Sequence, residues 1–342
     1  MALFLKNFLL YQMHNFYKNS ENGAALLLAL FVSSIVSIIG YGLFSITNNT
    51  SNLEKKHLSE QQAFLTVLSL ESFSMNYMDS ITKRETITLA TNGYDAYSPI
   101  NIPLERGNAE AQINDLSDCF NINLLVRNSK DDFTKEINQE AVYFFENLLK
   151  SLTVSESKAN EVSSSLIDWI DVDDFPDEYN GGEDSHYLSL KDSYTTSNQY
   201  MQDITELRKV KGITEMIYKK IEPYICALPI SYNKININAL SPLNPNLLIA
   251  LTNNKFSEAE AIQFLENRPF NGYDSREMFL SSEIIKSSIT SKYAKSIIGV
   301  NSNYFNLKTE IIFDEYTFIM NSRLLVEDKK MKIQSRKIGN YL

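Results

Sequence analysis

Residues 24–46 read AALLLALFVSSIVSIIGYGLFSI, 23 consecutive positions without a charged side chain. As a helix this run spans about 34 Å at ~1.5 Å per residue, enough to cross a hydrocarbon core of roughly 30 Å. A core helix of a soluble domain carries a polar stripe, and none is visible here. The run therefore predicts a single transmembrane helix over 24–46. A secretory signal peptide is the competing reading, but its apolar stretch is shorter and ends in small residues. Here the small residues Gly23, Ala24 and Ala25 stand at the start of the run. That order predicts cleavage between Gly23 and Ala24, on the cytoplasmic side. Residues 1–23 are then a leader, and the apolar segment stays with the mature chain.

Beyond Ile46 the pattern turns amphipathic. Leu53, Leu58, Ala63, Phe64, Val67, Leu68 and Leu70 alternate with polar positions, and neither Pro nor Gly interrupts between Gly42 and Gly93. The helix is predicted to continue through 47–82. Residues 108–114 alternate, with Ala109, Ala111 and Ile113 on one side, which is a strand signal. Residues 304–312 and 315–326 are rich in aromatic and β-branched side chains, and Met331 and Ile333 alternate with lysines in a predicted last strand. Between these β regions the patterns are mostly helical, as at 141–152, 162–170, 205–209, 216–225, 245–251 and 258–267. The expected class is α+β. Its parts are a first sheet portion at 83–129, an inserted helical domain at 130–300 and C-terminal strands at 301–342.

Net charge is −10, from 32 Lys+Arg and 42 Asp+Glu, which disfavours a global electrostatic grip on nucleic acid. His14, His57 and His186 are too scattered for a His-rich zinc site, and Cys119 and Cys226 allow at most one intramolecular disulfide. No G-x-S-x-G, P-loop, H-E-x-x-H or G-x-G-x-x-G pattern occurs, so the chain reads as non-enzymatic. The densest charge is 168–184, with eight carboxylates and no Lys or Arg. Such a loop repels itself unless it is hydrated or neutralised by a cation, and hard oxygen ligands favour calcium. It is not an EF-hand: counted from Asp171, position six is Pro176 and position twelve is Gly182. A solvated acidic loop is the simpler alternative.

Several segments together carry a family resemblance. They are the leader with Gly23-Ala24 and the uncharged helix, Gly107–Asp115 followed by Cys119–Asn123, and Leu166–Asp173 followed by Gly181–Asp184. Glu206–Ile213, Cys226–Pro229 and Lys234–Asn238 complete the set. In order and spacing the chain resembles the minor pseudopilin K of type II secretion systems. The pilin pattern has Glu at the fifth mature position. Counted from Ala24, that position here is Leu28. The departure is itself a feature of this class and suits a terminal subunit.

The resemblance implies a pseudopilin fold, with the long helix packed on an antiparallel sheet and a large inserted helical domain of helix-hairpin-helix or SAM-like type. It implies cleavage by prepilin peptidase and methylation of Ala24. It implies an inner-membrane anchor with a periplasmic C-terminal domain, and minor pseudopilins I and J as partners at the tip of the fibre. It also implies calcium in the helical domain, for which Asp171, Asp173, Glu183 and Asp184 are the expected carboxylate ligands. Asp168 is expected to cap or pair locally, and Asp174, Asp177 and Glu178 to face solvent. Cys119 and Cys226 both lie in matched motifs and are expected to bond, two buried thiols being the alternative. Leu207–Ile213, followed by Ile217 and Ile221, resembles a helix-hairpin-helix. It supports a second reading, a membrane-tethered nucleic-acid binder, although a helical packing unit explains the segment more simply.

Overall fold

The computed structural model describes residues 2–82, 99–105, 107–128, 135–177, 181–313, 316–328 and 330–339. It divides into two units, Met1–Leu65 and Thr66–Leu342.

One helix runs without interruption over Ala2–Thr82 and so passes through the predicted cleavage point, as expected of a segment without proline. Within the first unit, its apolar window has a mean hydropathy of 2.3, is not buried, and is long enough to cross a membrane. Leu26, Leu27, Leu28, Phe31 and Ile38 are all exposed. Leu53 and Leu58, counted by sequence toward an amphipathic face, are exposed as well.

In the second unit the same helix buries Val67, Leu70, Glu71, Ser74 and Met78, a stripe at helical spacing. Glu71 ties that stripe to a five-stranded antiparallel sheet. Its carboxylate accepts bonds from Arg336 at 2.7, 3.0 and 3.1 Å and from the Ser322 hydroxyl. The strands are Ile100–Leu104, Gly107–Asp115, Tyr304–Phe313, Tyr316–Glu327 and Lys330–Ile338, hydrogen-bonded in that order. Period-two alternation sets one face inward: Ala109, Ala111 and Ile113, then Leu307, Thr309 and Ile311, then Met320, Ser322 and Leu324 are buried. A register shift lies between Arg323 and Leu324.

The chain leaves the sheet at Asp115 and returns at Tyr304. Asp115 pairs with Phe305, and the Leu116 amide donates to the Tyr304 carbonyl at 2.9 Å. Everything between belongs to the insertion. Residues 120–128, assigned from the sequence to the sheet portion, do not join the five strands. Phe120–Asn121 pairs in parallel with Ile225–Cys226, and Val126–Asn128 pairs with Lys135–Ile137. Two- and three-residue strands carry no period by which a sequence could announce them.

The insertion is mostly short helices around one apolar core that includes Phe120, Phe145, Leu166, Trp169, Tyr187 and Ile221. Its two longest helices are Gln139–Ser151, capped by Asn138, and Glu156–Ile170. The second is buried on nearly every side from Val162 to Ile170, which explains its three serines in place of bulkier residues. The hairpin segment is a 3₁₀ turn at Ile204–Lys209 followed by an α-helix at Glu215–Ile221. The helix predicted to reach residue 225 stops early, because Pro223 opens a 3₁₀ turn at Glu222–Tyr224.

Cys119 and Cys226 form a disulfide with Cα atoms 5.7 Å apart, and the alternative of two free thiols is excluded. Both sulfurs sit in a small core with Leu228, Tyr232 and Tyr304, where the insertion meets the sheet.

Candidate functional site

The acidic stretch starts inside the Glu156–Ile170 helix. Asp168 and Asp171 are three residues apart, which puts them on one face where the helix ends. The loop that follows returns through Gly181 and Gly182 to Glu183 and a short helix, Asp184–Leu188. This return places a third carboxylate against the first two. Asp168, Asp171 and Glu183 are 0%, 8% and 2% exposed. Gly181 makes the approach possible: a Cβ there would sit 1.9 Å from Asp168 Oδ2.

Three carboxylates buried together disfavour their own ionisation. Burial, and then the neighbouring Asp177 and Asp173 charges, push Asp168 up to about 6 against the pull of the Asp177 and Gly182 amides. Burial and the charges of Asp173 and Asp168 push Asp171 up to about 7. Burial and the charges of Asp168 and Asp171 push Glu183 up to about 8. Asp168 Oδ1 accepts from the Asp177 amide at 3.0 Å. Among the described residues, Asp168 Oδ2, Asp171 Oδ1 and both oxygens of Glu183 are buried without a hydrogen-bond partner. Buried polar atoms in native proteins are nearly always paired, so these oxygens call either for their own protons or for a positive group.

Two lysines brace the loop from outside. Lys135 donates to the Ile170 carbonyl and, at 3.1 Å, to the Asn198 carbonyl, and its ammonium lies over the Tyr200 ring. Burial lowers its pKa, opposed by the charge of Asp171. Lys211 donates through Nζ to the Gly181 carbonyl at 2.9 Å and through its amide to the Tyr187 hydroxyl at 3.0 Å. Trp169 and Tyr187 pack edge to face beneath the cluster, with ring centroids 5.4 Å apart.

The expected ligands separate in this geometry. Asp171, Asp173 and Glu183 lie near enough for their charges to act on one another, with Asp173 at the exposed rim, where it accepts from the Phe175 amide at 3.0 Å. Asp184 turns toward Thr196, accepting from its amide at 2.8 Å and its hydroxyl at 2.7 Å. Asp168 does pair locally, with the Asp177 amide, and is also the most buried member of the cluster. Asp177 does not simply face solvent: it accepts from the Ser164 hydroxyl at 2.7 Å. Asp174 is exposed, and Glu178 lies outside the described residues. Among the described residues, no three His, Cys, Asp or Glu side chains are already gathered closely enough to hold a metal ion. A cation would have to draw the carboxylates together. The i, i+3 spacing of Asp168 and Asp171 was the sequence signal for the missing member. Nothing in the sequence marked Lys135.

The hairpin's cations are spent internally. Arg208 lies over the Tyr218 ring and pairs with Glu215, and Lys209 lies over the Tyr194 ring. In the weaker second candidate, Arg268 donates to the carbonyls of Ile237 and Leu240. Gly212, at φ +83°, turns the chain against Val162. These contacts describe a packing unit and give no support to a nucleic-acid surface.

The comparisons agree on one family. A family model described as type II secretion system (T2SS), protein K, matches residues 118–230. The Escherichia coli (strain K12) relative is 30% identical over 330 residues, covering 92% of this chain and 97% of its own. The chain belongs to the type II secretion system protein K family. Protein K of Pectobacterium carotovorum subsp. carotovorum is 28% identical over 324 residues, covering 95% of this chain and 98% of the relative. Among solved structures, the chain is similar to one in the crystal structure of the GspK-GspI-GspJ complex from the enterotoxigenic Escherichia coli type 2 secretion system. The TM-score is 0.73 at 27% identity, covering 84% of this chain and 99% of that one. The long helix, antiparallel sheet and helical insertion are thus those of a GspK-like fold.

Proposed function

We propose that this chain is a minor pseudopilin that assembles with partners corresponding to GspI and GspJ and caps a type II secretion pseudopilus. The observation that carries the reading is the match along nearly the whole of the protein K chain of that complex. In this reading prepilin peptidase cuts between Gly23 and Ala24, and Ala24 becomes the methylated terminus. Helix 24–46 holds the protein in the inner membrane, and the later domain lies in the periplasm. Leu28 offers no carboxylate to a neighbour's amino terminus, which suits the last subunit of a fibre. The bulk of the helical insertion blocks addition above it, and the fibre supports export of folded proteins across the outer membrane. The role is structural rather than catalytic.

The acidic loop takes part as a calcium site. Asp168, Asp171 and Glu183 supply the buried oxygens, and Asp173 completes the set at the rim. Bound calcium supplies the positive charge that lets these carboxylates ionise together. Asp184, tied to Thr196, then secures the loop behind Glu183.

Co-expression with the I and J pseudopilins tests the assembly. A complex that survives size exclusion is expected, and failure to co-purify refutes it. N-terminal sequencing of the mature protein is expected to start at methylated Ala24, whereas an intact Met1 overturns the processing. For the metal, terbium is expected to show emission sensitised by Trp169 that calcium displaces. Absence of both that signal and calcium-dependent thermal stabilisation refutes the site.

A further inference from the structure

A cavity of about 420 Å³ opens between the Gln139–Ser151 and Glu156–Ile170 helices. Its apolar wall includes Val142 and Ile167, and Gln139 and Asn160 place amides around it. Two carboxylates, Glu146 and Asp177, face it, and among the described residues no Lys, Arg or His lines it. Asp177 is fixed there from two sides: its carboxylate accepts from Ser164 and its amide donates to Asp168. The Glu146 carboxylate accepts no hydrogen bond among the described residues. Lys150, a cation whose charge reaches Glu146, is held 2.9 Å from Glu156. Burial raises the Glu146 pKa, Lys150 opposes that rise, and the charges of Glu156 and Asp177 add to it. Tyr143, half exposed, stands at the edge.

This is a negative cavity with an apolar wall and an aromatic edge, too large for a bare ion. We propose that it receives an arginine side chain presented by a partner polypeptide. The methylene stem packs on Val142 and Ile167, as long basic side chains do on apolar surface. The planar guanidinium offers five donors, which match two carboxylates and the carbonyls of two amides better than a compact ammonium does. The Tyr143 ring adds a face for the cation. The occupant's charge relieves the repulsion between Glu146 and Asp177, so charge complementarity selects a cationic group and the number of acceptors selects arginine.

The test uses the full chain in detergent, at constant calcium, titrated with N-acetyl-arginine methylamide and followed by calorimetry. Matched probes carry lysine or citrulline in place of arginine. Saturable binding of the arginine probe is expected. The lysine probe and the neutral citrulline probe should each bind at least tenfold more weakly. Glu146→Gln and Tyr143→Ala, both at accessible positions, should weaken the arginine probe while leaving the melting curve unchanged. Asp177→Asn should do the same; if it unfolds the loop, the other two variants still decide. Equal binding of arginine and citrulline, equal binding of arginine and lysine, or unchanged affinity in Glu146→Gln overturns the proposal.

Discussion

The ion pair between Glu71 and Arg336 tests how the long helix is held on the sheet. Glu71 is 2% exposed and Arg336 42%. The pair is bidentate, and Ser322 supplies a further donor. Replacing Arg336 by Met leaves a buried carboxylate with one hydroxyl. Removing one partner of a fully buried pair costs roughly 3–5 kcal/mol. Here solvent reaches the guanidinium and Ser322 remains, so the expected loss is ~2–3 kcal/mol. In a unit of this size that lowers the melting temperature by on the order of 5 °C. The double variant Glu71→Met with Arg336→Met removes the stranded charge and should recover all but about 1 kcal/mol. Urea unfolding of the unaltered protein and the two variants, with amide exchange over strands 316–327 and 330–338, reads both effects. If the single variant loses under about 0.5 kcal/mol, or the double variant is no better than the single, the pair does not hold the helix.

Three further outcomes are expected. Gly181→Ala places a methyl group against Asp168 Oδ2 and should cost about 1–3 kcal/mol, read as a lower melting temperature together with weaker calcium stabilisation. Without calcium, the carboxyls of Asp168, Asp171 and Glu183 have folded pKa values of about 6, 7 and 8, above their ordinary 3.8, 3.8 and 4.5. Their protonated forms favour the fold. Chelated protein should therefore be most stable below about pH 4 with respect to these groups and lose stability as pH rises toward 8, and saturating calcium should flatten that slope in a pH series of melts. Replacing both Cys119 and Cys226 by Ser opens a loop of sequence separation 107 and should lower stability by up to about 4–5 kcal/mol in the chain-entropy model, seen as a lower urea midpoint.

The acidic loop shows where reading the sequence worked and where it stopped. Charge density over 168–184 was visible at once, because like charges without counter-ions are improbable in a packed region. Which carboxylates meet was not visible. Asp168 was expected only to cap or pair locally, and it does pair with the Asp177 amide, but its helix position says nothing about Gly181, which folds back onto it. Asp184 looked equivalent to Glu183, yet their side chains diverge: Glu183 turns inward to the cluster and Asp184 outward to Thr196. Lys135 sits 36 positions before Asp171 and enters the site only because a short strand pair delivers it. In the hairpin segment, the sequence read more simply as a helical packing unit than as a nucleic-acid binder. Contacts to Tyr194, Tyr218, Glu215 and Gly181 use the segment's cations within the fold.

The uncharged run 24–46 determined by itself that part of this chain is a long apolar helix, because no other local arrangement satisfies so many backbone groups without polar side chains. Alternation at 108–114 and around Met331 and Ile333, with aromatic and β-branched enrichment at 304–312 and 315–326, likewise marked the sheet strands, since a half-buried strand repeats every two residues. Tertiary structure alone decided that the insertion leaves at Asp115 and returns at Tyr304, that Glu71 reaches Arg336, and that Asp168 joins Asp171 and Glu183. Each of these joins residues far apart in the chain, or reorients neighbours through a turn. The energy that selects them is burial and charge compensation in three dimensions, which no local period records.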